Sequence, residues 1–593
     1  MYRLRRLFAA ALCSAFLLTA GRSVSGAEQL DRQCPQVVFD GEKAIGLTDV
    51  EQRLVCGDSD GSGPNAEAWR HVPLSQARYQ LGNFLEKRGY FTPTYRVEGS
   101  VLHVNVGLQS LIRSWRMEGA PPEFVMKYLP RKRHIVGQVL TPELLTELEQ
   151  WVFGRLQAEG YACPKLLSKA DSETGEIVVR VDPGSQYDLI RVFEEPIPGV
   201  EDGMIRRYDA FTIGRRFNRD LMTLTERRML KAGVIQSTHF KIRCEKGGAV
   251  ATQESLAGAP RLVSIGLGAN TEGLLLAKAT WSNQRFGRKA SSVSLTGLAS
   301  YREVSAQGSS AWYFLDYPSR LYLKPTARFL RRTEVYFKEL GVQSLFPIAQ
   351  TWDTAHEGWT AMIGPSYEYY LTQEGTGPPH AQFLSLSAEV TWVTHELEYF
   401  RNTPRSGATA TISSITSGTP LSEVVSERFK VFGQALWNLN DYDPPLLVFA
   451  VRGSFAMTWT PDRSNYAQIL PPSFRQYLGG AQTLRGFGRL ELPVDTLGSL
   501  SAAYVGGEAR LITVFPYQLE PFVFLDLGTL SKQQLAIQWP LYWSPGFGMR
   551  WESPVGSFRS TISHGYVTGG APNRNDGTSV SHLQFYLSFG EEF

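Results

Sequence analysis

Two periodicities of apolar positions divide the chain. Beyond about residue 260 the apolar residues recur at every second position in short runs. Val263, Ile265 and Leu267 alternate with Ser264, Gly266 and Gly268, and Val293 and Leu295 with Ser292, Ser294 and Thr296. Val523, Leu525 and Leu527 alternate with Phe522, Phe524 and Asp526; Phe585, Leu587, Phe589 and Phe593 alternate with Tyr586, Ser588, Gly590 and Glu592. Period two puts successive side chains on opposite faces of a strand, so this region predicts many short half-buried strands. Ahead of it the spacing is helical: Leu81, Phe84 and Leu85, then Leu148, Trp151, Val152 and Leu156, then Leu224 and Leu230. Each helical run closes in a glycine turn, at Gly89-Tyr90, Gly160-Tyr161 and Gly233-Val234, at nearly equal intervals along the chain.

Alternating strands such as Val101–Val106 and Ile177–Val181 follow the first two turns, and Val38–Gly41, Arg116–Gly119 and Arg191–Glu194 open the three units. A regular recurrence of this kind predicts three small α+β domains, each with helices on one face of a short sheet. Charge separates the two regions again. Charged residues are nearly twice as frequent in 28–250 as in 251–593, while aromatics become more frequent after the boundary. A soluble domain cannot shed charge this far without exposing apolar surface to water; a lipid-facing β-barrel must, and girdles its rims with aromatics. From Pro260 to Phe593 the chain is long enough for sixteen tilted strands with their turns and some long loops. The fold expected is therefore three α+β domains followed by a 16-stranded antiparallel transmembrane β-barrel.

The ends and the charge add localisation. Arg3, Arg5 and Arg6 precede an apolar run from Leu7 to Ala20, and Ser25-Gly26-Ala27 offers a signal-peptidase pattern, so residues 1–27 are expected to direct export. The whole chain carries a formal +3, which becomes −1 without the four arginines of that segment. No footprint of a nucleic-acid binder remains. With only five cysteines a disulfide scaffold is excluded, although Cys34 and Cys56 could bridge within the first domain in an oxidising compartment.

Catalytic patterns are weak. Gly57-Asp58-Ser59-Asp60-Gly61 fits G-x-S-x-G, but no apolar strand feeds the serine as a nucleophile elbow requires. Asp58–Gly63 imitates the start of a calcium loop, with Trp69 where the bidentate glutamate belongs. No H-E-x-x-H occurs, and Cys163 and Cys244 lack partners at metal spacing. Arg131-Lys132-Arg133-His134 reads as a solvated turn. An enzyme is not expected, nor a metal or cofactor.

The chemistry that stands out is an ion pair. Pro461–Ser499 holds Pro461, Pro471, Pro472, Gly479, Gly480, Gly486, Gly488 and Pro493, and a connection of this length is uncommon unless functional or disordered. Asp526 shares parity with Phe522, Phe524 and Gly528, opposite the apolar Val523, Leu525 and Leu527, and so faces the lumen. Glu508 and Arg510 face it likewise. If the long loop folds inward, Arg485 meets these carboxylates in a partly desolvated space, where a bidentate pair resolves the cost of a lone guanidinium. Asp526 is the expected partner, Glu508 a second acceptor. A solvated arginine in a loose loop is the alternative.

Gln482-Thr483-Leu484-Arg485-Gly486-Phe487-Gly488 resembles the [V/L]RG[F/Y] motif of the outer-membrane assembly barrels, the BamA/TamA superfamily. Phe522–Gly528 resembles its partner motif F-x-x-D-x-G, including Asp526 and Gly528. Val181-Asp182-Pro183-Gly184 resembles the joint between polypeptide-transport-associated (POTRA) domains, and the block from Gly546 to Phe593 resembles the closing strands. The resemblance implies POTRA domains at 28–107, 108–185 and 186–250 and a barrel at 251–593. It implies the C-terminal strand residues Phe585, Phe589 and Phe593 as an assembly signal. Three POTRA units resemble the TamA branch more than BamA, which carries five, or the two-partner secretion transporters, which carry two. The implied role is insertion of client β-barrel proteins such as autotransporters into the outer membrane by lateral opening between first and last strands. The implied contacts are outer-membrane lipid and a TamB-like periplasm-spanning partner. Export of an unfolded exoprotein through the lumen is the alternative, and a passive porin would leave the N-terminal array unexplained.

Overall fold

The computed structural model describes residues 36–589 apart from 41–45, 49–50, 52–54, 56–73, 99–100, 129–134, 316–319, 355, 400–405, 419–421, 440–444, 535–539, 554–555 and 570–582. The export segment, Cys34 and Cys56, the Asp58–Gly63 loop, Arg131–His134 and Phe593 lie outside the described residues. The described residues fall into two compact units. One holds those up to Gly119 together with 135–152 and 166–181; the other holds those in 120–134, in 153–165 and from Asp182 onward.

In the first unit, helix Leu74–Glu86 places Ala77, Leu81, Phe84 and Leu85 on one face, the i, i+4, i+7, i+8 spacing of a buried stripe. That stripe packs on Leu102 and Val104 of the strand Val101–Asn105. The strand is central in its sheet, parallel to Gln36–Asp40 and antiparallel to Thr94–Glu98. The same order recurs in Ser114–Glu118, Glu176–Asp182 and Lys165–Asp171, and a third time, in the second unit, in Leu189–Phe193, Gly248–Leu256 and Ser237–Glu245.

The repeat extends to the joints. Gly89, Gly160 and Gly233 end their helices at φ 84°, 97° and 66°, a conformation that suits glycine. Ser110 N–H donates to the Gly89 carbonyl at 2.8 Å and Gln109 Nε2 to the Arg88 carbonyl at 2.9 Å. Tyr187 N–H and Gln186 Nε2 repeat both bonds to Gly160 and Glu159, at 3.0 and 2.9 Å. In the second unit Ala162 is buried beside Phe217, Met222 and Phe240 of the third domain, and a disulfide joins Cys163 to Cys244 across that joint. These two cysteines lack metal spacing in the sequence because they are partners of each other, 81 residues apart. The third domain also ends later than the expected boundary at 250. Strand Gly248–Leu256 is the middle strand of its sheet, so the barrel begins at Arg261. Its small, uncharged Gly248-Ala249-Val250-Ala251-Thr252 run imitates a barrel strand.

The barrel is closed and antiparallel, with sixteen strands from Arg261–Asn270 to Leu583–Phe589 among the described residues. Three strands are interrupted: Leu321–Leu323 with Thr326–Thr333, Lys338–Leu345 with Ile348–Asp353, and Gly556–His564 with Tyr566–Val567. Pro325 and Pro347, which cannot donate to a ladder, stand in the first two gaps. One side-chain parity points out, with Ile265 76%, Leu267 71% and Phe329 61% exposed. Such a surface is stable in lipid and not in water. No helix among the described residues is long and apolar enough to cross a membrane.

The third domain attaches to one rim of the barrel through two buried arginines. Arg207 Nη2 donates to the Lys289 carbonyl at 2.8 Å, with its guanidinium 4.0 Å from the centre of the Tyr313 ring. Arg228 Nη2 lies 3.0 Å from Asp353 Oδ2 and 3.4 Å from His395 Nε2. The long loop 461–499 leaves the barrel at the opposite rim.

Candidate functional site

The long loop connects the eleventh strand, Leu447–Trp459, to the twelfth, Ser501–Leu511. It folds into the lumen around its own apolar side chains. Leu470 and Phe474 pack with Tyr370 and Phe383 of the wall, while Leu478, Leu484, Phe487 and Leu492 cluster with Tyr504 and Tyr542. Backbone bonds in both directions between Gln476 and Ser499 and between Leu478 and Leu492 draw it into a hairpin. Loose-loop behaviour is thereby excluded: Leu484, Arg485 and Phe487 are fully buried.

At the tip, the Leu484 carbonyl accepts from Phe487 N–H at 3.1 Å, a tight turn that brings Arg485 against the thirteenth strand, Leu519–Ser531. Arg485 Nε and Nη2 each donate to Asp526 at 2.7 Å, one to each carboxylate oxygen, and its backbone N–H adds a 3.2 Å bond. Nη1 donates to Glu508 Oε1 at 2.5 Å. The guanidinium carbon stands 3.4 Å from the Phe524 ring centroid, so the cation has an aromatic face below and carboxylates at its edges. The structure thus brings Arg485, Asp526 and Glu508 together.

Glycines make the room. Gly506 is the register partner of Asp526, and a Cβ there would sit 2.5 Å from Asp526 Oδ1 and 2.3 Å from Tyr504 Oη. A Cβ on Gly486 would lie 2.4 Å from the Gly565 nitrogen, a backbone approach that no side chain can relieve. A Cβ on Gly528 would meet Leu478 and Leu484 at 3.0 Å. Gly546 and Gly548 leave space for the Phe524 and Phe522 rings.

Further residues complete the network beyond those the motif pair indicated. Tyr504 Oη donates to Asp526 at 3.0 Å and accepts from Arg452 Nε at 2.9 Å. Glu508 also accepts from Arg510 at 2.6 and 2.9 Å and from Arg559 at 2.8 Å. Tyr504 and Gly506 share the lumen parity of Glu508, so the sequence carries a signal for them; Arg559 enters from a strand whose register only the closed barrel sets. Such a site is a buried network of ion pairs. It holds a loop in place, since removing one charge strands the others in a buried space.

The remaining candidates lie elsewhere. Phe585 and Phe589 occupy the outward parity of the last strand, Phe585 exposed and Phe589 with its ring 4.4 Å from that of Phe558.

Residues 331–593 match the Omp85 superfamily domain. The chain is similar to the crystal structure of BamA from Haemophilus ducreyi lacking POTRA domains 1–3, at 16% identity, covering 81% of this chain and 99% of that one with a TM-score of 0.49. CdiB from Acinetobacter baumannii (12% identity, 87% and 97% covered, TM-score 0.44) and CdiB from Escherichia coli (13%, 86% and 96%, 0.46) are similar as well. No curated protein matches the chain.

Proposed function

From a chain whose C-terminal region is an Omp85 superfamily domain, an outer-membrane barrel with POTRA domains in the periplasm, we propose an insertase that assists assembly of client β-barrel proteins, autotransporters among them. The seam between first and last strands carries this reading. On one side the first strand pairs without a break, from Arg261 opposite Asn283 to Asn270 opposite Leu274. On the other, the described residues pair only as Ala269 opposite Phe589 and Asn270 opposite Ser588. Val263, Ile265 and Leu267 of the first strand are exposed on the outward face beside the seam. An edge exposed when the seam parts recruits an incoming strand by β-augmentation, and Gly266 and Gly268 weaken the packing that would oppose opening.

The loop lock supports the same reading. A buried Arg485–Asp526–Glu508 network keeps the lumen-facing loop fixed against the wall while the seam moves. Each POTRA sheet has outer strands paired on one side among the described residues, suited to receiving clients or a TamB-like partner by edge pairing. Energy comes from burial and pairing of the client's own strands in the bilayer, with no nucleotide and no bond broken.

A photo-crosslinking residue in place of Ile265, in cells, tests the proposal. Adducts with several nascent barrel proteins are expected. One large secreted protein, captured instead at lumen positions, would make the chain a two-partner secretion transporter.

A further inference from the structure

The inward loop touches the barrel at both flanks of the seam, meeting barrel residues that lie outside the arginine motif's partner strand. On the first-strand side is Glu272, in the turn that follows Asn270. Its Oε1 accepts from Ala481 N–H at 3.1 Å, and its Oε2 lies 3.5 Å from Arg489 Nη1. Arg489 is itself held by a two-bond fork to Glu334, at 2.7 and 2.9 Å, so its position near Glu272 is fixed. On the last-strand side, Tyr586 Oη donates to the Phe487 carbonyl at 2.5 Å, and the Tyr586 side chain is buried. Phe487 and Ala481 belong to one tight segment of the loop, tied by the Gly480 N–H bond to the Phe487 carbonyl at 3.0 Å.

The consequence is a bridge. The strands at the seam share two opposed pairs among the described residues, with one further bond from Thr271 N–H to the Leu587 carbonyl at 3.0 Å. The loop adds a second connection, from Glu272 through Ala481 and Phe487 to Tyr586. Behind the seam lies a cavity lined by Asn270, Glu272, Tyr586, Ser588, Gln482 and Arg489. Leu276, Leu298 and Phe589 line it too, so separating the flanks there breaks hydrogen bonds and uncovers apolar side chains as well.

We infer that Glu272 and Tyr586 are positioning residues that latch the seam shut by clasping the tip of the inward loop from opposite sides. With Arg485 fixed to Asp526, the loop is the stationary post and the two seam strands are the parts released. Opening requires the Tyr586–Phe487 bond and the Glu272–Ala481 bond to break, and a client strand supplies replacement pairing on the first strand. The inference rests on the proposed lateral opening as the step it controls, but the latch itself is a property of the barrel alone.

Amide hydrogen exchange on the full chain in lipid nanodiscs tests it without a client. Tyr586→Phe removes one hydroxyl and Glu272→Ala the acceptor for Ala481 N–H, and both variants are checked for heat-modifiable gel migration. Each is expected to raise exchange of the peptides covering 261–270 and 583–589 by roughly three- to tenfold, as loss of one hydrogen bond predicts. Exchange in the paired strands Ser426–Asn438 and Leu447–Trp459 should stay at the wild-type rate. Unchanged exchange at the seam, or an equal rise in all strands, overturns the latch. Client insertion is then measured on the same samples. A loosened seam with no client insertion by wild type or variants would keep the latch and remove the insertase reading, while an unaltered seam with normal insertion would do the opposite.

Discussion

Arg485 makes four hydrogen bonds to carboxylates in a fully buried space, which makes each neighbour costly to change. Asp526→Asn keeps the shape but leaves one amide edge facing the guanidinium and three arginines sharing Glu508. We expect a loss of about 3–5 kcal/mol, the usual cost of breaking a buried pair on one side. Gly506→Ala should approach that loss without touching a charge, because its Cβ displaces Asp526 Oδ1. Urea midpoints of the folded barrel, followed by tryptophan fluorescence, check both; a midpoint unchanged in Gly506→Ala would show that Asp526 can move aside. The pair itself is legible in the sequence, because strand parity aims Asp526 inward and a proline- and glycine-rich stretch surrounds Arg485. Tyr504 shares that parity but carries no charge to mark it. Arg452 and Arg559 are invisible for a different reason: which lumen residues face each other depends on the stagger of strands around the barrel, and alternation within one strand cannot fix stagger between strands.

At the scale of elements, the third domain is bound to the barrel rim by helix Arg219–Lys231 lying on helix His395–Tyr399. His395 faces Arg228 from the domain, and Asp353, the Thr354 carbonyl, Glu398 and Tyr399 from the rim. Burial first, and Arg228 in addition, hold His395 below the usual histidine range, against the opposing pull of Thr354, Asp353 and Glu398. A histidine depressed on docking contributes attachment that is complete above its free value, about 6.5, and is lost as pH falls toward the docked value. Acidification from pH 7.5 to about 5.5 should therefore loosen this attachment, and His395→Gln should make it insensitive to pH. Spin labels on the two helices measure the separation; identical pH profiles in both proteins would contradict the assignment. The helices and sheets of this array are readable from their periodicity, down to the glycine turns. Its last strand is not, because Gly248–Leu256 is small and weakly charged, the composition that elsewhere marks lipid-facing strands. The inward loop is readable as a loop by its length, but not as a packed body, since Leu470, Phe474, Leu478 and Leu492 follow neither helical nor strand period.

Over the larger compact unit, the third domain and the charge-poor barrel meet at a rim secured by Arg207 and Arg228. The disulfide Cys163–Cys244 fits an oxidising compartment and holds the second glycine turn against the third domain.

Whether clients need the barrel seam to part can be measured directly. Asn270 and Ser588 are register partners across it, close enough for cysteines at both positions to bridge. The Asn270→Cys, Ser588→Cys barrel is reconstituted in liposomes, and the folding of a client β-barrel protein is followed with the bridge oxidised and then reduced. Lateral opening predicts no insertion while the bridge holds and recovery once it is reduced. Insertion at the reduced rate through an oxidised, locked seam would contradict lateral opening.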